Sequence, residues 1–342
     1  MGGRGAAPAL RHVRGRRGRD GHRRGEGADR AGAAAVRRLR GRAGSPAVEA
    51  QGGRAVTKVV LIGGTGVLGH ALVPRLLDRG HAVTVLAPGP RPAPAGADRV
   101  DASLLDIPGD ELAGVLAGCD VLVNVATAVP ADPAAPGAWE LNTRLREEGT
   151  PRLVDAARAS GVGHLVQMSI TMVYPDGGDR LLDESTPLDT DPARAALVEP
   201  VRVMEQAVRR ASGDGPSWTV LRGARFAGPG TVQDLQRRRL RGGTLPIAGD
   251  GSSWLSLVHV RDFAAAVAAT VEIRPPGMVL NIADEPVREG EYTERLARAV
   301  GAPPPPYDRS LVPELPSQRV SSAAAHRLLG WKPVTGIWGG VG

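Results

Sequence analysis

The sequence predicts an α/β protein in which a doubly wound parallel sheet is followed by a small C-terminal α/β lobe. From Lys58 onward, short apolar runs alternate with amphipathic segments, which is typical of parallel strands covered by helices. In residues 59–69, VVLIGGTGVLG, one such strand leads into a glycine-rich turn and the start of a helix. After Arg225 the pattern changes to Gly/Pro turns and an arginine-rich stretch, which indicates the smaller lobe.

Residues 1–55 are rich in Gly, Ala and Arg and show no apolar periodicity, so we expect a disordered tail. They hold 14 Arg and four acidic residues, a net charge of +10, whereas 29 basic and 32 acidic residues give 56–342 a net charge of −3. The body is therefore not expected to bind nucleic acid. We prefer to interpret the tail as an over-extended gene start, since the folding signal begins at Val56. The alternative is a basic arm that touches nucleic acid or anionic lipid.

The amino-acid composition indicates how the core is packed and argues against a disulfide, a membrane span and a metal site. Hydrophobic residues make up 42% of the 342 residues and aromatic residues only 3%, so aliphatic side chains must fill a sizeable core. Cys119 is the only cysteine, which excludes an internal disulfide and fits a reducing cytoplasm. No apolar run is long enough to span a membrane, and no His/Cys/Asp spacing indicates a metal site. We expect a cytoplasmic protein that binds neither membrane nor metal.

The elements of the sheet are predicted from the apolar pattern. Strands are expected at 58–62, 82–86, 100–103, 120–125, 164–169 and 218–221. Helices are expected over 68–79, 111–117, 139–160 and from about 200 to 211. Pro74 should kink the first helix, and Pro200 suggests that the fourth begins late, because proline favours the first turn. For the lobe we predict helices over 261–271, 293–300 and 322–329 and a strand over 278–282.

The glycine turn predicts a dinucleotide site, because Gly63, Gly66 and Gly69 recur at every third position between a strand and a helix. Gly63 allows a tight turn, Gly66 lets the backbone approach a pyrophosphate, and Gly69 lets the helix pack closely on the strand. The helix N-terminus adds amide donors and the positive end of a dipole. The predicted cofactor-binding residues of this turn are Gly63, Thr65, Gly66, Val67, Leu68 and Gly69.

The segment after the second strand bears on which dinucleotide is bound. An acidic residue there favours NAD, and a nearby arginine favours NADP. Residues 87–91 read Ala-Pro-Gly-Pro-Arg and contain no acid, so Arg91 gives a weak preference for NADP over NAD.

Seven segments together resemble the short-chain dehydrogenase/reductases, in their extended branch of NAD-dependent epimerases and dehydratases. They are GGTGVLG (63–69), CDVLVNVAT (119–127), VQMSITMVY (166–174), TVLRGARFAGPG (219–230), SLVHVRD (256–262), LNIADEPV (280–287) and LLGWKP (328–333). The resemblance spans about Lys58 to Pro333. It implies a Rossmann-type NAD(P)-binding domain of residues 56–225 and a substrate-binding lobe of residues 226–342, some of whose elements return to the sheet.

The same resemblance implies further contacts. Ala126 should lie at the cofactor, and so should Ser103, which replaces an Asp that contacts the adenine in many relatives. A homodimer through the helices around 139–160 and 200–211 is implied by analogy.

The chain departs from this family where redox members carry a Tyr-x-x-x-Lys pair and a Ser or Thr. In those members the Lys cation and the oxidised nicotinamide lower the pKa of the Tyr, so that the phenol exchanges a proton. The resemblance places Leu197 and Val201 at the Tyr and Lys positions and Ile170 at the Ser/Thr position. Composition agrees, because none of the two lysines and three tyrosines of the chain forms such a pair. The chain is thus an atypical member.

The remaining candidates for catalysis are the polar side chains expected nearest to the nicotinamide: Ser169, Thr171 and Tyr174. Tyr174 could donate a hydrogen bond to a substrate carbonyl, or it could cap the strand and pack under the lobe. Arg225 is predicted to bind an anionic or carbonyl group of a small-molecule substrate; a surface ion pair is the alternative.

Three functions stay open on these grounds. The first is an NADP- or NAD-dependent oxidoreductase or isomerase on a small carbonyl metabolite, with the proton supplied by substrate or water. The second is a non-redox dehydratase or cyclase that relies on positioning and oxyanion-type donors. The third is a non-catalytic protein that senses NAD(P) and contacts a partner. We prefer them in that order.

Gly66→Asp should abolish dinucleotide binding, because it places a side chain and a negative charge against the pyrophosphate. A fluorescence titration with NADPH and NADH measures this, with thermal unfolding to show that the variant is folded. Unchanged affinity would contradict the assignment of the turn.

Overall fold

The computed structural model describes residues 56–130, 132, 135–313 and 315–338; the tail predicted for residues 1–55 lies outside the described residues. Within the described part, seven parallel strands form one sheet in the order β12-β7-β5-β4-β1-β2-β3. These strands are β1 (Lys58–Ile62), β2 (Ala82–Leu86), β3 (Asp98–Val100), β4 (Val121–Asn124), β5 (His164–Ile170), β7 (Ser217–Gly223) and β12 (Met278–Ile282). The predicted Rossmann-type α/β fold is confirmed.

Helices cover both faces of this sheet. The helices of the described residues are α1 (Val67–Asp78), α2 (Gly109–Leu116), α3 (Glu140–Arg144), α4 (Thr150–Ala159), α5 (Ala195–Arg209), α6 (Val232–Arg241), α7 (Val260–Ile273), α8 (Glu289–Ala299) and α9 (Ala323–Leu329). Of these, α6 and α8 pack in the core of the C-terminal lobe instead of on the sheet. A π-helical turn, Leu145–Gly149, joins α3 to α4. No helix in the described part of the chain is both long and apolar enough to cross a membrane.

Alternation along β1 shows why both faces are covered. Val59 and Leu61 point into one core with α1 and α7, whereas Val60 and Ile62 point into the other with α2 and α4. All four side chains are apolar and at most 5% exposed, as expected for a parallel strand that lies between two layers of helices.

Short strand pairs build the C-terminal lobe. They are β6 (Leu181–Leu182) with β15 (Arg319–Val320), β8 (Arg225–Ala227) with β11 (Leu257–His259), β9 (Ile247–Ala248) with β14 (Tyr307–Asp308), and β10 (Trp254–Leu255) with β13 (Val287–Arg288). A separate apolar cluster that includes Leu240, Leu257 and Tyr292 forms the core of the lobe. The strand predicted at 278–282 is β12, which returns to the main sheet beside β7.

Three predicted boundaries were wrong; one is the helix predicted over 293–300, which begins at Glu289. The third strand lies at Asp98–Val100 rather than 100–103, because Ser103 already belongs to a turn that leads into α2. Helix α5 begins at Ala195, after a 3₁₀ turn capped by the Asp191 carboxylate, and runs through Pro200. Pro200 is buried, so tertiary packing outweighs the hydrogen bond that its missing N–H removes.

A buried polar network ties α5 to the middle of the sheet. Arg222 on β7 forms a bidentate ion pair with Glu205 on α5, with nitrogen–oxygen distances of 2.8 and 2.7 Å. The same guanidinium donates to the Tyr174 hydroxyl at 2.9 Å, and that hydroxyl donates to Asn281 on β12 at 2.8 Å. Ser169 at the end of β5 donates to Glu205 at 2.7 Å. Three strands and one helix are therefore held through charge-assisted hydrogen bonds.

The charges of this pair are stabilised although both side chains are nearly inaccessible. Burial alone would raise the pKa of Glu205, but the hydrogen bonds and charge of Arg222 and the hydrogen bonds from Ser169 and Arg209 lower it overall. Burial alone would lower the pKa of Arg222, yet Glu205 and Tyr174 raise it. The pair is therefore ionised at neutral pH, where removing one partner would leave an uncompensated buried charge.

Glu205→Gln should lower the free energy of unfolding by about 3 kcal/mol at pH 7, because it leaves the Arg222 cation unpaired. Glu199→Gln is the matched control, since Glu199 lies on the same helix in an exposed ion pair with Arg202. Denaturant titrations measure both.

The difference between wild type and Glu205→Gln should also depend on pH. Because the folded-state pKa of Glu205 is lowered, its contribution is complete well above the unfolded pKa near 4.5 and is lost as the pH falls through the folded pKa. Equal losses in the two variants, or a difference independent of pH, would show that the pair does not stabilise the fold.

Candidate functional site

The glycine turn lies between β1 and α1 and is shaped by the absence of side chains. Gly63 has φ +86°, and a Cβ on it would lie 2.7 Å from the Cα of Ala126 after β4. A Cβ on Gly69 would lie 2.0 Å from the carbonyl oxygen of Gly64. The absence of a side chain at Gly63 therefore lets Ala126 lie against the turn. The absence of a side chain at Gly69 lets the start of α1 pack closely on Gly64.

The start of α1 is suited to an anion. Gly66 is its N-cap residue and offers no side chain to the first amide groups of the helix. A Cβ on Gly66 would meet no heavy atom closer than 3.4 Å, so the space in front of the turn is open. Amide donors with room before them fit a pyrophosphate, which Val67 and Leu68 would hold through their backbone.

A cavity of about 500 Å³ opens in front of this turn. Thr65, Gly66 and Val67 line one side, together with His70 of α1. Arg91, Arg261 and the Pro229–Gly230 segment line the others. The structure thus brings the predicted residues Thr65, Gly66, Val67 and Arg91 to one cavity.

Arg91 projects from a loop that other residues hold in place. Arg99 donates to the carbonyl oxygens of Ala87 and Gly89, and Asp101 accepts the Gly89 N–H at 3.1 Å. Arg99 and Asp101 also pair with each other at 3.3 Å. Among the described residues the Arg91 guanidinium has no hydrogen-bonding or ion-pair partner, so its charge is available to a ligand.

Ser103 and Ala126 both lie in turns at the carboxyl edge of the sheet. The Ser103 hydroxyl accepts the Leu105 N–H at 3.2 Å, and the Ala126 N–H donates to the Asn124 side chain at 3.2 Å. Ala126 contacts the glycine turn as described above. The cofactor contacts predicted for Ser103 and Ala126 stay predictions.

Apolar side chains occupy the positions where redox relatives carry the proton-transfer residues. Ile170, Leu197 and Val201, which the resemblance placed at the Ser/Thr, Tyr and Lys positions, pack in one cluster with Val173 and Met204. The end of β5, which carries Ile170, meets helix α5, which carries Leu197 and Val201, but none of the three side chains can carry a proton.

The three predicted catalytic residues lie in the interior. Ser169 and Thr171 are 3% and 2% exposed, and the Ser169 hydroxyl donates to Glu205. Tyr174 is fully buried, and its hydroxyl accepts a hydrogen bond from Arg222 and donates one to Asn281. Burial raises the pKa of Tyr174, although the charge and hydrogen bond of Arg222 oppose the shift. These contacts do not favour proton transfer by Tyr174, and catalysis by the three stays a prediction.

Arg225, the predicted substrate ligand, is half-buried on β8 at the junction with the lobe. Its charge lies close enough to Tyr292 to lower the pKa of that phenol, although burial, the larger effect, raises it. Among the described residues no carboxylate pairs with Arg225, so the surface ion pair considered from the sequence is not formed there.

Arg261 lines the cavity although it was not predicted from the sequence. One signal in the sequence was available: in SLVHVRD, Arg261 follows a strand and begins a helix. Side chains at such a position lie at the carboxyl edge of the sheet, where the glycine turn also lies. The histidines, cysteine and acids of the described region form no group of three or more that could hold a metal ion.

Two relatives in sequence are reductases. The chain is 33% identical over 298 residues to the 3-diazoavenalumate denitrifying reductase of a Streptomyces species, covering 82% of this chain and 97% of that protein. It is 30% identical over 268 residues to the 2-alkyl-3-oxoalkanoate reductase of Stenotrophomonas maltophilia, covering 72% of this chain and 76% of the relative.

Solved structures share the fold. The dTDP-glucose 4,6-dehydratase DesIV of Streptomyces venezuelae with NAD superposes with a TM-score of 0.69 at 25% identity, covering 83% of this chain and 94% of DesIV. MoeE5 with UDP-glucuronic acid and NAD superposes with a TM-score of 0.70 at 24% identity, covering 83% and 96%.

The model of the NAD dependent epimerase/dehydratase family matches residues 59–283, from the first strand of the sheet to the end of the last. Together with the reductase relatives, this match supports an oxidoreductase or epimerase role. With its glycine turn and its parallel sheet, the chain belongs to the NAD dependent epimerase/dehydratase family.

Proposed function

We propose that the protein is an NADPH-dependent reductase that replaces the diazo group of an aromatic carboxylate with hydrogen. The observation that carries the proposal is the apolar cluster of Ile170, Leu197 and Val201 at the positions of the usual proton-transfer residues. The relative at 33% identity, named for the denitrifying reduction of a diazo carboxylate, supports the same chemistry.

The two candidate reductions differ in their need for an acid. Hydride addition to a carbonyl produces an alkoxide, which a positioned acid normally protonates. Hydride addition to the terminal nitrogen of an aryl diazonium produces a neutral diazene. As N₂ leaves, the C–N bonding pair stays on the ring carbon, which takes up one proton while the N–H releases one, so the net demand for protons is zero. The balance is Ar–N₂⁺ plus H⁻ gives Ar–H plus N₂. The protein supplies no proton, so an apolar cluster in place of Tyr and Lys is sufficient.

The residues of the site then have separate tasks. The backbone of Gly66, Val67 and Leu68 binds the cofactor pyrophosphate, and a bound nicotinamide dinucleotide supplies the hydride. Arg225 binds the substrate carboxylate through its guanidinium. The aliphatic cluster excludes water, which would otherwise convert a diazonium group to a phenol.

The preference for NADPH rests on Arg91. The loop after β2 contains no acidic side chain from Ala87 to Arg91, and its backbone is held by Arg99 and Asp101. The Arg91 guanidinium is therefore left to bind the 2′-phosphate of the ribose.

A carbonyl substrate, the first expectation from the sequence, is the second candidate. The 2-alkyl-3-oxoalkanoate reductase relative favours it, and water would supply the proton. Both candidate substrates are carboxylates, so Arg225 has the same task in each. We rank the non-redox and sensing roles lower, because both relatives described above are named as reductases.

The proposal is tested with the full-length protein, NADPH deuterated at C4 and a benzenediazonium carboxylate. We expect loss of the diazonium absorbance, one NADPH oxidised per N₂ released, formation of the arene, and slower NADPH oxidation with the deuterated cofactor than with the unlabelled one. Reactions without protein and with Gly66→Asp measure the uncatalysed reduction. Turnover of 3-oxo acids without turnover of the diazonium compound would overturn the proposal in favour of the second candidate.

Tyr174→Phe should leave kcat within about threefold of wild type, because the reaction takes no proton from the phenol. The same change should lower the free energy of unfolding by about 1–3 kcal/mol, since it removes hydrogen bonds to Arg222 and Asn281. A fall in kcat of about 100-fold or more in a folded variant would instead identify Tyr174 as a general acid.

Arg225→Gln should raise KM for the carboxylate substrate by about tenfold and leave kcat nearly unchanged, because the charge positions the substrate. The carboxamide analogue provides the matched control, since it lacks the anion and should be turned over equally by both proteins. An equal effect on the two substrates would show that Arg225 does not bind the carboxylate.

A further inference from the structure

Arg261 is a second cationic side chain in front of the glycine turn, contributed by the far half of the sequence. It lies in the first turn of α7 and lines the same 500 Å³ cavity as Gly66, Val67 and Arg91. The glycine turn, the loop after β2 and the start of α7 thus enclose one space from three sides.

The start of α7 is held firmly. Its preceding strand β11 pairs with β8, and the imidazole Nδ1 of His259 accepts the Arg261 N–H at 3.2 Å. Asp262 is 2% exposed, and its carboxylate accepts backbone N–H groups of Val334, Thr335 and Gly336 at 2.9–3.2 Å. The residues before and after Arg261 are therefore fixed in the protein, while Arg261 itself remains exposed at the cavity.

The positive charge at this place is not compensated by any acidic side chain among the described residues. The nearest acid in sequence, Asp262, is occupied by the backbone groups just described. No Asp or Glu lines the described cavity, and within the described residues neither Arg91 nor Arg261 has a side-chain hydrogen bond or ion pair. Two unpaired guanidinium groups facing amide donors form a site for a ligand with more than one anionic group.

A close packing contact brings this far half of the chain to the turn. A Cβ on Gly230, in the loop after β8, would lie 3.1 Å from the Val67 side chain, and the Gly230 N–H donates to Asp234 at 2.7 Å. A phosphate held by Gly66 and Val67 therefore lies on the side of the turn that faces this loop and Arg261.

We infer that Arg261 binds the pyrophosphate of the dinucleotide from the side opposite the glycine turn. The inference rests on the proposed function only in taking NADPH as the ligand. Backbone amides of the turn bind the pyrophosphate on one side and the Arg261 guanidinium on the other, while Arg91 binds the 2′-phosphate. The two arginines thus recognise different phosphates of one cofactor.

Equilibrium titrations of full-length Arg261→Gln with NADH and NADPH test this assignment. NADH is the decisive probe, because it has the pyrophosphate but no 2′-phosphate. Arg261→Gln should raise the Kd for both cofactors by about tenfold and reduce the dependence of affinity on salt concentration. Arg91→Gln should raise the Kd for NADPH by a similar factor and change that for NADH less than twofold.

Arg327→Gln is the matched control, since Arg327 is exposed on α9 and does not line the cavity. It should bind both cofactors like wild type. Wild-type affinity of Arg261→Gln for NADH, or a loss confined to NADPH, would overturn the inference.

The binding assay separates this inference from the proposed function. A wild type that binds NADPH but reduces no diazonium compound contradicts the proposed function and leaves the assignment of Arg261 standing. A wild type that binds neither cofactor overturns both.

Discussion

The close approach of three backbone segments at the glycine turn is the constraint on which the rest of this structure depends. Side chains at Gly63 or Gly69 would collide with backbone atoms at 2.0–2.7 Å, and one at Gly64 would lie 2.7 Å from Val85. These contacts place the end of β1, the start of α1 and the residue after β4 in one small volume. The carboxyl edge of the sheet consequently presents amide groups instead of side chains at its centre.

Around that centre the chain keeps the architecture of its family. The positions expected to carry a proton relay are aliphatic and in mutual contact, whereas Ser169 and Tyr174 are drawn into a network with Glu205 and Arg222. That network joins β5, β7, β12 and α5 through charges that are satisfied within the protein. These polar groups near the strand ends therefore hold the strands and α5 together.

Local signals in the sequence were sufficient for most strands of the main sheet, the glycine turn and the family, because each depends on residues adjacent in the chain. The helix through Pro200 was not predictable in this way, since burial of the proline against other elements decides it. The return of Met278–Ile282 to the sheet follows from pairing with β7, a strand about 60 residues earlier. The position of Arg261 after a strand and at a helix start indicated the correct edge of the sheet, but its place in this cavity depends on how the folded chain brings α7 to the glycine turn.

Asp262 and Arg261 are adjacent in sequence but have different contacts. Its carboxylate fastens the segment Val334–Gly336, while the next side chain toward the N-terminus faces the nucleotide cavity. Loosening that late segment would release the helix start and so alter the orientation of Arg261. If Arg261 binds the pyrophosphate as inferred above, substitutions in this segment should alter the affinity for the cofactor, although the segment lies about 270 residues after the glycine turn in sequence.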